Sequence, residues 1–387
     1  MKKVLMLVLS VAVIVGLTLA GCAPEAAPPE EEAPPEEEEE APPAAPEEEV
    51  FEWKSQSAFG LGSWDYLCGE DICKRIDEMS AGRIKTMPLL APGTIVPAFE
   101  ILDAVDKGVL EMGECWPGYW VGKDSAFTLF SSACGGPFGM DTFDHMGWMF
   151  YGGGYELWKE LLTKTGYKNV VPFIGKGEFP EPLGWFPKPL EKYSDLAGYK
   201  MRVAGLAAEV FKEAGVSVVT VSGAEILPLL EKGTIDASEY SDPHSDMRLG
   251  IADVLKYYHA PGIHQPTGYV EMLINRQTFE ALPADLQNLI ELSCHEMLIK
   301  NTVHEYVLGQ EALETLKSDY GVTLVESPDE ILLKLLESWD KVAARECAAN
   351  PNFKKIYDSM EDYASKIVPY RRQFFKDYSF AADYYWK

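Results

Sequence analysis

The stretch that decides the fold opens with Gly198-Tyr199-Lys200-Met201-Arg202-Val203-Ala204-Gly205 and closes with Lys232-Gly233-Thr234-Ile235-Asp236-Ala237-Ser238-Glu239-Tyr240-Ser241-Asp242-Pro243. It reads as strand, Gly turn, helix, short strand, helix, strand. Gly205 lets the chain leave the strand that carries Arg202 without steric penalty. Ala207 to Ala214 then reads as a helix stopped by Gly215, and the β-branched run Val216 to Val221 as a strand. Ala224 to Lys232 is a second helix stopped by Gly233, after which the extended chain delivers Glu239 and Asp242 to a loop. A cation at one strand end and a carboxylate at a later one, on the same edge of an α/β sheet, is where small-ligand sites form. On spacing alone, an arginine at a solvated strand edge beside an acidic turn stays open.

Further out, the sequence echoes itself. Asp106-Lys107-Gly108-Val109-Leu110-Glu111-Met112-Gly113-Glu114 parallels Glu231 to Glu239 at a constant offset of 125. Two copies of one unit predict an α/β fold of two similar lobes with a cleft between them. The expected division is 51–170 for the first lobe and 171–270 for the second. Residues 271–387 form a crossover and long C-terminal helices, including Pro283 to Leu316 and Asp329 to Ala348. The aromatic tail, through Tyr370, Phe374, Phe375, Tyr384, Tyr385 and Trp386, either clamps both lobes or docks on a second copy as a homodimer.

The N-terminus reads differently. Lys2 and Lys3 precede a 17-residue apolar run, Val4 to Ala20, and Leu19-Ala20-Gly21-Cys22 is a lipoprotein cleavage box. The run is short for a membrane span. Residues 1–22 are thus expected to be a signal peptide and Cys22 the lipidated residue, placing the chain outside the cytoplasm, with membrane contact only through the lipid. Residues 23–50 form a disordered Ala/Pro/Glu linker, because such a composition has nothing to bury. Removing its twelve Glu and the two leader lysines from the net charge of −27 leaves −17 on residues 51–387. That balance argues against nucleic acid and anionic membrane surfaces as partners. Among the six later cysteines, Cys68 with Cys73 or Cys115 with Cys134 can pair, and buried thiols are the equal alternative.

With Arg202 and Glu239 placed, the chain resembles the solute-binding proteins of tripartite ATP-independent periplasmic (TRAP) transporters, in the branch that handles 2-oxo and 2-hydroxy monocarboxylates. The marks are Ser80-Ala81-Gly82-Arg83-Ile84, Pro97-Ala98-Phe99-Glu100, Leu196 to Gly205, Ala224-Glu225-Ile226 and Leu282-Pro283-Ala284-Asp285-Leu286-Gln287. The resemblance implies a two-lobed fold like that of periplasmic binding proteins and a substrate carboxylate on Arg202, whose planar fork suits it, with Tyr119 facing the substrate from the other lobe. It also implies a bridging cation at Glu181, Glu239, Tyr240 and Gln265, with Glu181, Tyr240 and Gln265 also touching substrate. The branch usually has Trp where Tyr240 stands, and an amide and a carboxylate where this chain has Glu181 and Gln265. Two carboxylates, one guanidinium and a monocarboxylate sum to about −2, which Ca²⁺ neutralises; Na⁺ is the alternative. The implied function is capture of a small organic acid for a TRAP membrane permease, without catalysis. A ligand-sensing extracytoplasmic module and a carboxylate-dependent enzyme are the competing classes. No nucleophile and base pair or phosphate loop accompanies the acids.

Overall fold

The computed structural model describes residues 49–386 apart from 132, 133 and 135, and in it the two echoed segments fold alike. Helix Ile101–Asp106 gives way to Gly108 at φ +67° and then to strand Met112–Cys115; helix Ile226–Glu231 gives way to Gly233 at φ +63° and then to strand Ala237–Ser238. Their turn hydrogen bonds correspond. Gly108 N and Val109 N donate to Val105 O and Ala104 O, and Gly233 N and Thr234 N donate to Leu230 O and Leu229 O.

Each segment belongs to its own sheet, and the sheets share a strand order. In the first, Leu89–Leu90, Ser55–Ser57 and Met112–Cys115 are parallel neighbours, followed by antiparallel Gly268–Asn275 and Val170–Glu178. In the second, Ser217–Val219, Lys200–Arg202 and Ala237–Ser238 are parallel, followed by antiparallel Gly184–Phe186, then Tyr257–Ala260 and Thr323–Glu326. The chain crosses to the second sheet between Glu178 and Gly184 and returns between Ala260 and Gly268. We therefore move the lobe boundary from 170/171 to the crossing after Glu178, and assign Gly268–Asn275 to the first lobe. The antiparallel partnership of Val170–Glu178 with Gly268–Asn275 joins residues about a hundred positions apart, which local pattern does not reveal.

The two crossings lie side by side. Glu181 N donates to Gln265 O at 3.0 Å and Gly262 N to Glu181 O at 3.0 Å. A Cβ on Gly262 would stand 2.3 Å from Glu181 O, so only glycine permits this approach. Behind them runs the helix Ala284–Ser318, which buries Leu286, Ile290 and Cys294 in the first lobe and Leu316 in the second. Helix Asp329–Ala349 packs on Ala207–Glu213 of the second lobe, and helix Pro351–Phe374 on Ser125–Phe130 and Thr142–Tyr151 of the first, so these two helices clamp both lobes. Helix Lys376–Tyr385 packs only on the helix before it among the contacts described, with Phe380, Tyr384, Tyr385 and Trp386 exposed. No helix among the described residues is long and apolar enough to cross a membrane.

Of the two readings left open for the cysteines, buried thiols are the one found: Cys68, Cys73 and Cys115 are buried and unbridged, and Cys68 and Cys73 stand five residues apart on the helix Trp64–Met79, too far around it to meet. The leader, Cys22 and the linker up to residue 48 lie outside the described residues.

Glu271, opposite Cys115 on the first sheet, is fully buried, and neither carboxylate oxygen has a hydrogen-bond partner among the described residues. Burial lifts its pKa well above the ordinary carboxylate value. Its carboxyl is protonated in the folded chain and ionised in the unfolded one at neutral pH. The stability it allows is therefore full below the ordinary carboxylate pKa and is lost as pH rises. Glu271→Gln removes this titration. Thermal melts are expected to show the variant gaining about 2 °C or more over the native chain at pH 8, with the gain shrinking towards pH 5; a difference that does not vary with pH contradicts the assignment.

Candidate functional site between the lobes

A small cavity lies where the lobes meet. Phe59, Asp65, Trp116, Tyr119 and Glu178 line it from the first lobe, Arg202, Ala204, Glu239, Tyr240 and Ser241 from the second, and Glu181 and Gln265 from the crossings. The lobes touch beside it. Gly205, at φ +61°, lies so near the Trp116 indole that a Cβ would stand 2.9 Å from Cη2, so its glycine serves both the strand exit and the interlobe fit.

Arg202 ends the strand Lys200–Arg202 with its side chain 2% exposed. Nε and Nη2 donate to Val221 O at 3.1 and 3.0 Å, and Nη1 donates to Glu239 O at 3.2 Å and to Glu239 Oε1 at 3.0 Å. Glu239 Oε1 also accepts from Ala204 N at 2.7 Å. Four bonds from five N–H groups leave at least one donor for the cavity. The guanidinium carbon stands 5.7 Å over the Tyr240 ring, a cation–π distance. Burial opposes the charge, but Glu239, Tyr119, Glu181 and Tyr240 together outweigh it and hold the guanidinium pKa above its ordinary value.

Glu181, Glu239 and His264 each offer a ligand atom within 4.8 Å of the others. Burial, reinforced by the negative charges of Glu239 and Glu178, pushes the Glu181 carboxyl well above the usual range. Two buried carboxylates this close repel unless a proton or a cation lies between them. No hydrogen bond from the described residues reaches the Tyr240 carbonyl. Two carboxylates at this spacing are hard oxygen donors of the kind that suits Ca²⁺ or Na⁺. His264 Nε2 lies 3.1 Å from Glu181 Oε2, and burial lowers the imidazole pKa, so a neutral ring orients this carboxylate from behind.

The first-lobe wall is built on a second ion group. Asp65, in the first turn of helix Trp64–Met79, accepts from Lys176 Nζ at 2.6 Å, and Glu305 lies 3.0 Å from the same fully buried ammonium. Glu178, at the end of its strand, accepts from Trp116 Nε1 at 3.1 Å and from Gln265 Nε2 at 3.3 Å, both at Oε2. Burial raises its pKa to about 8.

Arg202, Tyr119, Glu181, Glu239, Tyr240 and Gln265, all expected at the site, therefore line one cavity. Tyr119 enters through the turn Pro117–Trp120, its ring packed on Phe99 and Trp116 at 4.7 and 5.3 Å. Asp242, expected on the loop with Glu239, falls elsewhere and caps the helix Pro243–Arg248. Asp65, Glu178 and His264 were not anticipated. His264 adjoins Gln265, and that adjacency was the one available signal.

Comparison with known proteins agrees with this geometry. The profile of bacterial extracellular solute-binding protein family 7, DctP, matches residues 63–349. A monocarboxylate 2-oxoacid-binding periplasmic protein of Nostoc sp. is 28% identical over 320 residues, 83% of this chain and 86% of that protein. A TRAP transporter solute-binding protein from Bordetella bronchiseptica, crystallised as a dimer with calcium and picolinate in its active site, superposes with a TM-score of 0.80 at 26% identity, covering 86% of this chain and 98% of that one. One from Pseudoalteromonas atlantica, with bound sodium and pyruvate, superposes with a TM-score of 0.77 at 27% identity, covering 85% and 98%. With a cleft of this construction and a profile match over most of its length, the chain belongs to the DctP family of extracytoplasmic solute-binding proteins that serve TRAP transporters.

Proposed function

We propose that this protein captures a small organic monocarboxylate in the interlobe cavity and presents it to the membrane subunits of a TRAP transporter. The observation that carries the reading is the one N–H of Arg202 left over by its four hydrogen bonds, on a guanidinium that lines the same cavity as Glu181 and Glu239. The substrate carboxylate binds that N–H, within reach of Tyr119. Glu181, Glu239 and the Tyr240 carbonyl hold a hard cation that supplies positive charge beside the substrate, with Gln265 at its margin. The two carboxylates, the guanidinium and the bound anion sum to about −2, an expensive charge in a closed, buried site. Ca²⁺ cancels it and Na⁺ halves it; the calcium of the Bordetella protein and the sodium of the Pseudoalteromonas protein support both assignments. Because the ligand touches both lobes, it favours their closed arrangement.

Two subsidiary readings accompany this one. The lysines, apolar run and cleavage box before Cys22 support export and lipid anchoring through that thiol. The exposed aromatic rings of helix Lys376–Tyr385 support pairing of two copies through the C-terminal helices. Light scattering on the eluting protein is expected to give twice the chain mass, falling to a single chain when Phe380 and Tyr384 are both replaced by Ser. A native chain that elutes as a monomer at micromolar concentration contradicts the pairing.

The main reading is tested by thermal shift across small organic acids, with and without Ca²⁺. A matching acid at one hundred times its Kd stabilises by about 2.7 kcal/mol, visible as a rise of several degrees. Arg202→Lys keeps the charge and loses the fork, so it is expected to weaken binding at least about tenfold. Chelation of the cation is expected to weaken binding as well; affinity unchanged after chelation, with no metal found in the purified protein, overturns the cation bridge.

A further inference from the structure

The lobes also meet through Arg248 and Gly62, neither of which lines the cavity. Strand Ser55–Ser57 leads through Phe59, a cavity residue, into the turn Gly60-Leu61-Gly62, and Ser63 then starts the helix Trp64–Met79. The turn is held from within: Ser63 N and Oγ both donate to Gly60 O, at 3.0 and 2.9 Å. From the second lobe, Arg248 ends the helix Pro243–Arg248, and its Nε donates to Gly62 O. Gly62 sits at φ +80°, and a Cβ there would stand 3.1 Å from Arg248 Nη2, so glycine serves the turn and the close approach together. A Cβ on Gly60 would lie 3.9 Å from that of Ala224, a second place where this turn meets the second lobe.

The helix that presents Arg248 is fixed to its own lobe. Asp242 caps it, accepting from His244 N and Ser245 N at 2.8 and 3.4 Å. Asp246 accepts from Trp185 Nε1 and Tyr258 Oη at 2.7 and 2.8 Å, both on strands of the second sheet. The His244 ring meets Trp64, the first residue of the first-lobe helix, edge-on at 5.9 Å. Arg248 itself is exposed, and among the described residues its one hydrogen-bond partner is Gly62. Such a bond adds little to folding, because water competes for both groups. It weighs differently on a closing cleft. Separating the lobes breaks it whatever ligand is present, and two arrangements a few kcal/mol apart respond to a single hydrogen bond.

We propose that Arg248 is a positioning residue for capture: it clasps the Gly60-Leu61-Gly62 turn across the lobes and sets how long the closed arrangement lasts, not which acid it holds. The inference rests on the organic-acid reading for the ligand whose residence it sets. Since Arg248 touches no ligand, its contribution is the same for every acid, whereas that of Arg202 depends on the carboxylate.

Stopped-flow and equilibrium binding of pyruvate and of lactate to the full chain in Ca²⁺ test this. Arg248→Ala is expected to weaken both acids by the same factor, about fivefold, the order of one ordinary hydrogen bond. The loss is expected in the dissociation rate, with association within about twofold of the native chain. Gly62→Ala crowds the same contact from the other lobe and is expected to act alike. The double variant is expected to lose no more than the weaker-binding single one, because the two residues share one bond. A helix-end charge acting only on its own lobe predicts additive losses instead. Unchanged affinities, losses that differ between the acids by more than about threefold, or additive losses overturn the inference and leave the organic-acid reading standing. Small-angle X-ray scattering of the ligand-free chain needs no acid, and there Arg248→Ala is expected to give a larger radius of gyration than the native chain. Should neither acid bind, an unchanged radius overturns the clasp, while the failed binding counts separately against the organic-acid reading.

Discussion

Everything at the cleft depends on a buried ion pair that is only partly satisfied. Arg202 is fixed by the Val221 carbonyl on one edge and by Glu239 on another, which orients the guanidinium and leaves donor capacity facing the cavity. Breaking such a pair from one side leaves an uncompensated buried charge, a loss of roughly 3–5 kcal/mol. The arrangement is therefore rigid before any ligand arrives, and the ligand meets an oriented dipole rather than a mobile side chain. In the first lobe the corresponding strand position is Gln56, which pairs with Gly113 as Arg202 pairs with Ser238. Its amide is engaged with Ile95 and Val96 and holds a loop. The two lobes thus share a scaffold, and the anion-binding charge sits on one of them.

The crossings bring in the other half of the site. Glu181 and Gln265 lie on the two segments that join the lobes, tied by a backbone hydrogen bond, with Gly262 closing the gap. Glu239 and Tyr240 come from the second sheet, Asp65, Tyr119 and Glu178 from the first lobe. A cation on Glu181 and Glu239 would bind the hinge to the second lobe, and an anion between Arg202 and the first-lobe wall would bind lobe to lobe. With both in place, closure and charge neutralisation would be the same event.

How much of this was legible in the sequence follows from how local each signal is. The βα units were legible because glycine stops and β-branched runs act over a few residues, and the echo around Gly108 and Gly233 proved to be a repeated turn with the same hydrogen bonds. Arg202 and Glu239 were legible because they lie at strand ends inside one such unit, and Tyr240 only through the family resemblance. Asp65 was not, since an acid in a helix's first turn has an ordinary explanation in the helix dipole. Its partners Lys176 and Glu305 lie 111 and 240 residues away. Glu178 was missed for a related reason: the strand that carries it was assigned to the wrong lobe, because its pairing with Gly268–Asn275 is long-range. The state of the cysteines stayed open in the sequence because cysteine count carries no geometry; helical spacing keeps Cys68 and Cys73 apart.

The most direct measurement is a crystal structure of the chain grown with Ca²⁺ and the tightest-binding acid. The account predicts the acid's carboxylate within hydrogen-bond distance of the Arg202 Nη atoms and the ion at about 2.3–2.6 Å from oxygens of Glu181 and Glu239, between closed lobes. An acid bound elsewhere, or one seated in the cavity with its carboxylate turned from Arg202 and no ion on that acidic pair, contradicts it.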